Sequence, residues 1–195
     1  QMDGEGQVSP HLIEEVYNLE DALVVAGFLH SFIRHADCVK IANIAQIVNV
    51  IAPVLTRGDE MLVQSIFYPF AMFSARRHGL SLTPVVEGPG YEGKTHGAVT
   101  FVDASAILDG DRLHLFLSNR SQNETATVEV RPADINTRAI ESAEVLTGAG
   151  ATSANSYEQP ETVCAKPYHE LAVRDGRLSC ELPPLSLLAT TLRVE

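Results

Sequence analysis

The chain has 195 residues, 45% hydrophobic and 20% charged, which is ordinary globular composition and excludes a disordered or fibrous class. Its formal net charge is -11, from 25 acidic against 14 basic residues. So acidic a chain repels phosphate backbones and anionic lipid, which argues against nucleic acid and membrane partners and is compatible with a neutral ligand such as a sugar.

The first periodic segment is helical. Leu12, Val16, Leu19, Leu23, Ala26 and Ile33 recur at three- and four-residue steps and form one apolar stripe. Ser9 is a candidate cap, with Pro10 at the first helical position. Glu14 and Glu15 suit the positive end of the dipole, and Arg34 and His35 the negative end. The pattern predicts a helix from Pro10 to Ala36. Cys38 to Asn43 then reads as a short strand buried on both faces, the parallel-sheet kind. A loop runs through Pro53 and Arg57-Gly58-Asp59. A second helix is expected from Pro69, turning Phe70 and Phe73 inward and ending in Arg76-Arg77-His78 before Gly79.

Beyond Gly79 the helical period is lost. Thr83 to Glu87, Val99 to Leu108, Leu113 to Asn119, Thr125 to Val130, Ala139 to Leu146, Arg177 to Leu182 and Leu187 to Val194 read as strands. Asp109-Gly110 and Asp175-Gly176 mark hairpin turns. Gly148 to Ser156, small and polar, reads as a long surface loop. Short strands with regular turn signals predict an antiparallel β-sandwich of jelly-roll type. The expected fold is thus α/β plus all-β, with residues 1–80 closing a (β/α)8 barrel and residues 81–195 forming the sandwich. A single βα unit cannot bury its own strand, so the rest of the barrel is expected upstream. The opening residue Gln1, in place of Met, agrees with that.

Five stretches carry a family likeness. Pro10 to Leu29 and Ile33 to Asp37 resemble the family 51 glycoside hydrolases, the α-L-arabinofuranosidases. The strongest match is Val39-Lys-Ile-Ala-Asn-Ile-Ala-Gln-Ile-Val-Asn-Val-Ile-Ala-Pro53, and Gln64 to Phe70 and Leu182 to Leu187 extend it. The resemblance implies a (β/α)8 barrel followed by a β-sandwich, with Val39 to Asn43 as the eighth barrel strand. It also implies exo-hydrolysis of terminal α-L-arabinofuranosyl bonds with retention of configuration. Retention needs two carboxyl groups. In the family the nucleophile Glu sits in a Glu-Trp motif after strand seven, and this chain has no Trp. Both catalytic Glu are therefore expected upstream, with none in this chain, and residues 1–195 alone are expected to be inactive. The resemblance places Gln46 just beyond strand eight as a contact to the arabinose ring. Asn43 and Asn49 flank it as possible supports. No cofactor is implied. The implied partners are an arabinofuranosyl-containing oligosaccharide, the remainder of the barrel and further copies in a homo-oligomer.

Other features have blander readings. Glu14/Glu15, Glu20/Asp21 and Asp59/Glu60 are adjacent pairs, which on a helix point about 100° apart, so they do not form a catalytic couple. His30 and His35 miss the i, i+4 spacing of a helical metal pair, and His96, His114 and His169 are scattered, so no metal site is expected. Phe67, Tyr68, Phe70 and Phe73 read as core rather than a sugar platform. Asn119-Arg-Ser121 and Asn123-Glu-Thr125 fit the glycosylation pattern by chance. Cys38, Cys164 and Cys180 are odd in number and unpaired in spacing, as reduced cytoplasmic thiols would be. No signal segment is visible, and the longest apolar run, Ile41 to Leu55, is interrupted by Asn43, Gln46 and Asn49. Two alternatives stay open: an accessory sandwich that binds carbohydrate or mediates assembly, and a related barrel hydrolase acting on xylosides or β-glucans.

Overall fold

The computed structural model describes residues 14–95 and 97–195. Helix α1 spans Leu19–Arg34. Ser9 and Pro10 lie outside the described residues, and the helix opens at Asn18, later than the sequence pattern predicts. The reason is a capping box: Asn18 Oδ1 accepts from the Asp21 amide at 3.1 Å while Asp21 Oδ2 accepts from the Asn18 amide at 2.9 Å. The next two amides are also engaged, Leu19 N–H donating to Ser153 O (2.8 Å) and Glu20 N–H to Ala151 O (3.0 Å). The Gly148 to Ser156 stretch, expected as a surface loop, thus seals the end of a helix distant in sequence. Replacing Asn18 by Ala is expected to cost about 1 kcal/mol, read from the urea unfolding midpoint; an unchanged midpoint would show that the 151–153 carbonyls fix this end alone.

Cys38 to Asn43 does not form the expected strand. No ladder reaches it, and most of it is exposed. A parallel stave is held from both edges, and among the described residues no strand lies beside it. The expected loop that follows is instead a hairpin, β1 (Val54–Arg57) against β2 (Glu60–Val63). Its two-residue turn, Gly58-Asp59, begins with Gly58 at φ 60°, which a side chain would resist.

Helix α2 spans Phe67–Ser74, shorter than the predicted run to Gly79. Arg76 and Arg77 still serve its C-terminus, donating to Met72 O (3.0 Å) and Ser74 O (2.7 Å). Gly79 ends the turn with φ 121°; a Cβ there would stand 2.3 Å from Leu108 O, so the chain passes the neighbouring strand only as glycine.

The remaining strands are β3 (Leu80–Leu82), β4 (Gly90–Gly93), β5 (Gly97–Thr100), β6 (Val102–Asp109), β7 (Arg112–Asn119), β8 (Ala126–Val130), β9 (Thr137–Thr147), β10 (Cys164–Pro167), β11 (Leu171–Arg174), β12 (Arg177–Leu182) and β13 (Ser186–Val194). A six-stranded antiparallel sheet runs β10-β9-β13-β7-β6-β3, and a three-stranded one runs β11-β12-β8. The strand expected over Thr83 to Glu87 is displaced to Leu80–Leu82, since Pro84 removes a ladder donor. The Asp175-Gly176 turn has φ 50° and 73°, both positive as a two-residue type I′ turn requires.

Strand β7 explains the layering. Leu113, Leu115 and Leu117 face the small sheet and pack with Leu178, Cys180 and Leu182 of β12. The alternate side chains point the other way, where Phe116 joins Leu19, Ala22, Ala26 and Leu29 of α1 and Phe73 of α2. Two alanines on α1 allow close approach. Phe73 stacks on Phe116 with ring centroids 4.0 Å apart. The molecule therefore has three layers, two helices, a large sheet and a small sheet, with one core on each side of the large sheet. The helices and the sandwich share the first core, so the sequence boundary near residue 80 crosses a continuous packed interface.

Candidate functional site

The predicted site residues lie between α1 and the β1–β2 hairpin. Gln46, Asn49 and Val50 all have left-handed backbone, at φ 55°, 63° and 64°. Asparagine tolerates this region; a β-branched valine does not adopt it without surrounding restraint. Restraint is present. Asn49 N–H donates to Val54 O (2.8 Å) and Glu15 N–H to Val50 O (3.2 Å). Asn49 Oδ1 accepts from Thr56 N–H (2.7 Å), and its Nδ2 donates to Thr56 Oγ1 (3.0 Å).

Gln46 is exposed, and its Oε1 accepts from Ile51 N–H at 3.5 Å. Asn43 is exposed. The structure thus places Gln46 and Asn49 in one strained, cross-braced segment, with Asn49 as its clamp. Asn43 is not drawn into that network.

Three residues that sequence reasoning missed anchor the segment from beneath. Gln64, fully buried, donates from Nε2 to Ala52 O (2.7 Å) and accepts at Oε1 from Tyr17 N–H (3.0 Å). Tyr17 donates its hydroxyl to Ile51 O (3.0 Å), and burial pushes its phenol pKa up. Asn155, also buried, donates to Val63 O and Val163 O, each at 2.9 Å, and accepts from Val163 N–H at 2.7 Å. An isolated amide in a polar stretch carries no periodicity, so only the tertiary contact distinguishes Asn155 from its neighbours.

Two hollows stand out among the described residues, and neither is lined by Asn43, Gln46 or Asn49. One, of about 490 Å³, is bounded by Phe32, Ile33, Val39, Ile41, Phe70 and Phe73, with Lys40, Arg77 and His78 also on its lining. The other, of about 380 Å³, lies between the sheets against Val102, Leu115, Leu117, Val128 and Val130. At its rim Glu129 accepts from Arg131 at 2.7 Å and Arg177 at 3.1 Å, and these guanidiniums hold its carboxyl below the usual range.

The acidic pairs have structural partners. Asp21 caps α1, and Glu60 bonds Arg57 Nε at 2.9 Å. His30 is a core residue: Nδ1 lies 2.8 Å from Ser105 Oγ and Nε2 2.8 Å from Ser118 Oγ, while Phe73 meets its ring edge-on. His35 is the C-cap of α1, and His114 bonds Thr191 Oγ1 at 3.0 Å. His96 lies outside the described residues. Burial raises the Cys180 thiol to about 12, which leaves it inert at neutral pH. The Asn119 sequon is closed in the folded chain, because Asn119 is buried with its Nδ2 committed to three carbonyls.

Residues 2–186 match the family model described as "Alpha-L-arabinofuranosidase C-terminal domain", and the chain belongs to that family. Over 180 residues it is 33% identical to an intracellular exo-alpha-(1->5)-L-arabinofuranosidase of Streptomyces lividans, covering 91% of this chain and 27% of that relative. A family 51 α-L-arabinofuranosidase structure from Bifidobacterium longum superposes with TM-score 0.87 at 29% identity, over 95% of this chain and 37% of that one. The arabinofuranosidase of Xanthomonas axonopodis pv. citri gives TM-score 0.85 at 29% identity, over 93% and 37%. The chain therefore spans between a quarter and two fifths of these relatives' length.

Proposed function

We propose that this chain is part of a retaining, exo-acting α-L-arabinofuranosidase that removes terminal α-L-arabinofuranosyl residues from arabinan- or arabinoxylan-type oligosaccharides. In this reading residues 1–80 complete a (β/α)8 barrel and residues 81–195 form its sandwich. Cys38 to Asn43 becomes the eighth stave once its neighbours are supplied. Gln46 then stands at the C-terminal mouth of the barrel, where active sites are built. Its amide donates to a ring hydroxyl, while Asn49 fixes the segment. Both carboxylates come from the preceding barrel.

The observation that carries this is the uncovered apolar face of the helical layer. Val24 and Phe28 of α1 are 54% and 59% exposed, and Ile41 and Ile47 are 77% and 75% exposed. So much exposed apolar surface suits burial against further barrel elements. The family likeness of the whole chain supports the same placement. Among the described residues no helix is long and apolar enough to cross a membrane. Relatives named as intracellular support a cytoplasmic setting, and the parent is read as a homo-oligomer.

Residues 1–195 alone are expected to release no nitrophenol from 4-nitrophenyl α-L-arabinofuranoside, whereas the polypeptide that supplies the rest of the barrel turns it over. Turnover by the purified 195-residue chain would overturn the assignment of both carboxylates to the missing part.

A further inference from the structure

We infer that the sandwich loop 148–163 is a positioning element for the Gln46 segment, so that a residue of the sandwich, Tyr157, governs how the barrel holds its sugar. This rests on the reading of Gln46 as a sugar contact and adds to it the part of the molecule that sets its geometry.

The contacts run outward from the sandwich. The loop leaves β9 and returns into β10, both in the large sheet, so its ends are fixed in the sandwich. From there it grips three points, one at the start of α1 and one on each strand of the β1–β2 hairpin. Its Ala151 and Ser153 carbonyls receive the first amides of α1. Asn155 Nδ2 bridges Val163 O in the loop to Val63 O at the end of β2. At the tip, the Arg57 guanidinium lies 4.0 Å over the Tyr157 ring, with Glu158 at 3.7 Å.

Arg57 closes β1, and β1 is the strand that braces the site segment. Val54 accepts from Asn49 and forms an isolated parallel bridge with Val48, and Thr56 is clamped by the Asn49 amide. Ile51, whose amide is received by Gln46, is held in turn by Tyr17. A continuous run of packed and bonded groups therefore links Tyr157 to Gln46. The segment it supports has three left-handed residues, one of them valine, and such backbone persists only where neighbours over-determine it. Tyr157 and Arg57 supply restraint at the hairpin end without reaching the sugar.

The test uses the complete enzyme and 4-nitrophenyl α-L-arabinofuranoside, with hydrogen exchange of residues 46–56 as a second readout. Removal of the ring in Tyr157→Ala is expected to accelerate exchange of that segment about tenfold and to lower kcat/KM about tenfold, the loss falling mainly on KM. Tyr157→Phe keeps the ring under Arg57 and is expected to match the wild type in both. In a Gln46→Ala background, Tyr157→Ala should cost less than about twofold more, because the two act as one unit. Unchanged exchange in Tyr157→Ala, or an equal kinetic loss in both backgrounds, would overturn the positioning role. Wild-type kinetics for Gln46→Ala would instead overturn the sugar contact, and the exchange result would still decide whether the loop restrains the segment.

Discussion

Acidification from pH 6.5 to about 4 is expected to remove roughly 3 kcal/mol of folding stability through His30 alone. Burial between α1 and the large sheet lowers its pKa from 6.5 to about 4; Asp103 opposes the shift, and Arg34 and Arg120 reinforce it. The imidazole is thus neutral in the folded chain, bonded on both nitrogens by the Ser105 and Ser118 hydroxyls. The unfolded chain takes up a proton near pH 6.5 that the folded chain refuses until about 4, so stability falls as pH falls across that window and no further below it. His114 is shifted the same way by burial and by Arg76 and adds to the slope. The lowered carboxyls of Glu129 and Glu158 act in the same direction, but at and below the ordinary carboxylate range. Urea midpoints taken from pH 7 to pH 4 measure the effect. A flat profile between pH 6.5 and 5 would show that His30 is protonated in the fold.

Asn119→Asp is expected to destabilise the chain by about 4 kcal/mol at pH 7, the range for a buried charge left without a partner. Asn119 Nδ2 donates to Glu124 O (2.9 Å), Leu182 O (3.1 Å) and Pro183 O (3.0 Å), and its Oδ1 accepts from Ser121 N–H (3.0 Å). It thereby ties β7 to the chain entering β8 and the chain leaving β12. An isosteric carboxylate would present a negative oxygen to three carbonyl oxygens. Protonation relieves the conflict, so the folded state raises this carboxyl's pKa above its unfolded value. The penalty is therefore complete at neutral pH and shrinks as pH falls toward 4. Chemical denaturation of both proteins at pH 7 and pH 5 reads the difference. A gap below about 1 kcal/mol, or one that does not narrow on acidification, would refute this account of the amide.

Much of the sandwich was legible because its signals are local. The Leu113-His-Leu-Phe-Leu-Ser-Asn119 alternation has period two, and the structure uses both of its faces. Asp175-Gly176 suits a turn with two positive φ values, and it makes one. The shorter strands were not legible. β10 and β11 span Cys164–Pro167 and Leu171–Arg174, each only four residues, too few for a period to emerge, and Pro167 reads against a strand. The β1–β2 hairpin was hidden by the charged Arg57-Gly58-Asp59-Glu60 run, which reads as loop although Gly58 suits the turn.

The site divides in the same way. The likeness of Val39 to Pro53 singled out Gln46 and Asn49, and the fold gives both of them left-handed backbone in one braced segment. It could not reveal Gln64, Tyr17, Asn155 or Tyr157, whose roles consist of contacts made across long stretches of chain. The sequence by itself determined the periods, the turns and the absence of any Trp, since each depends on residue type and spacing alone. Only the tertiary structure decided where α1 begins, what restrains the Gln46 segment and why Cys38 to Asn43 forms no ladder. Capping, bracing and strand pairing all need a partner group at bonding distance, and a partner's position is a property of the folded chain.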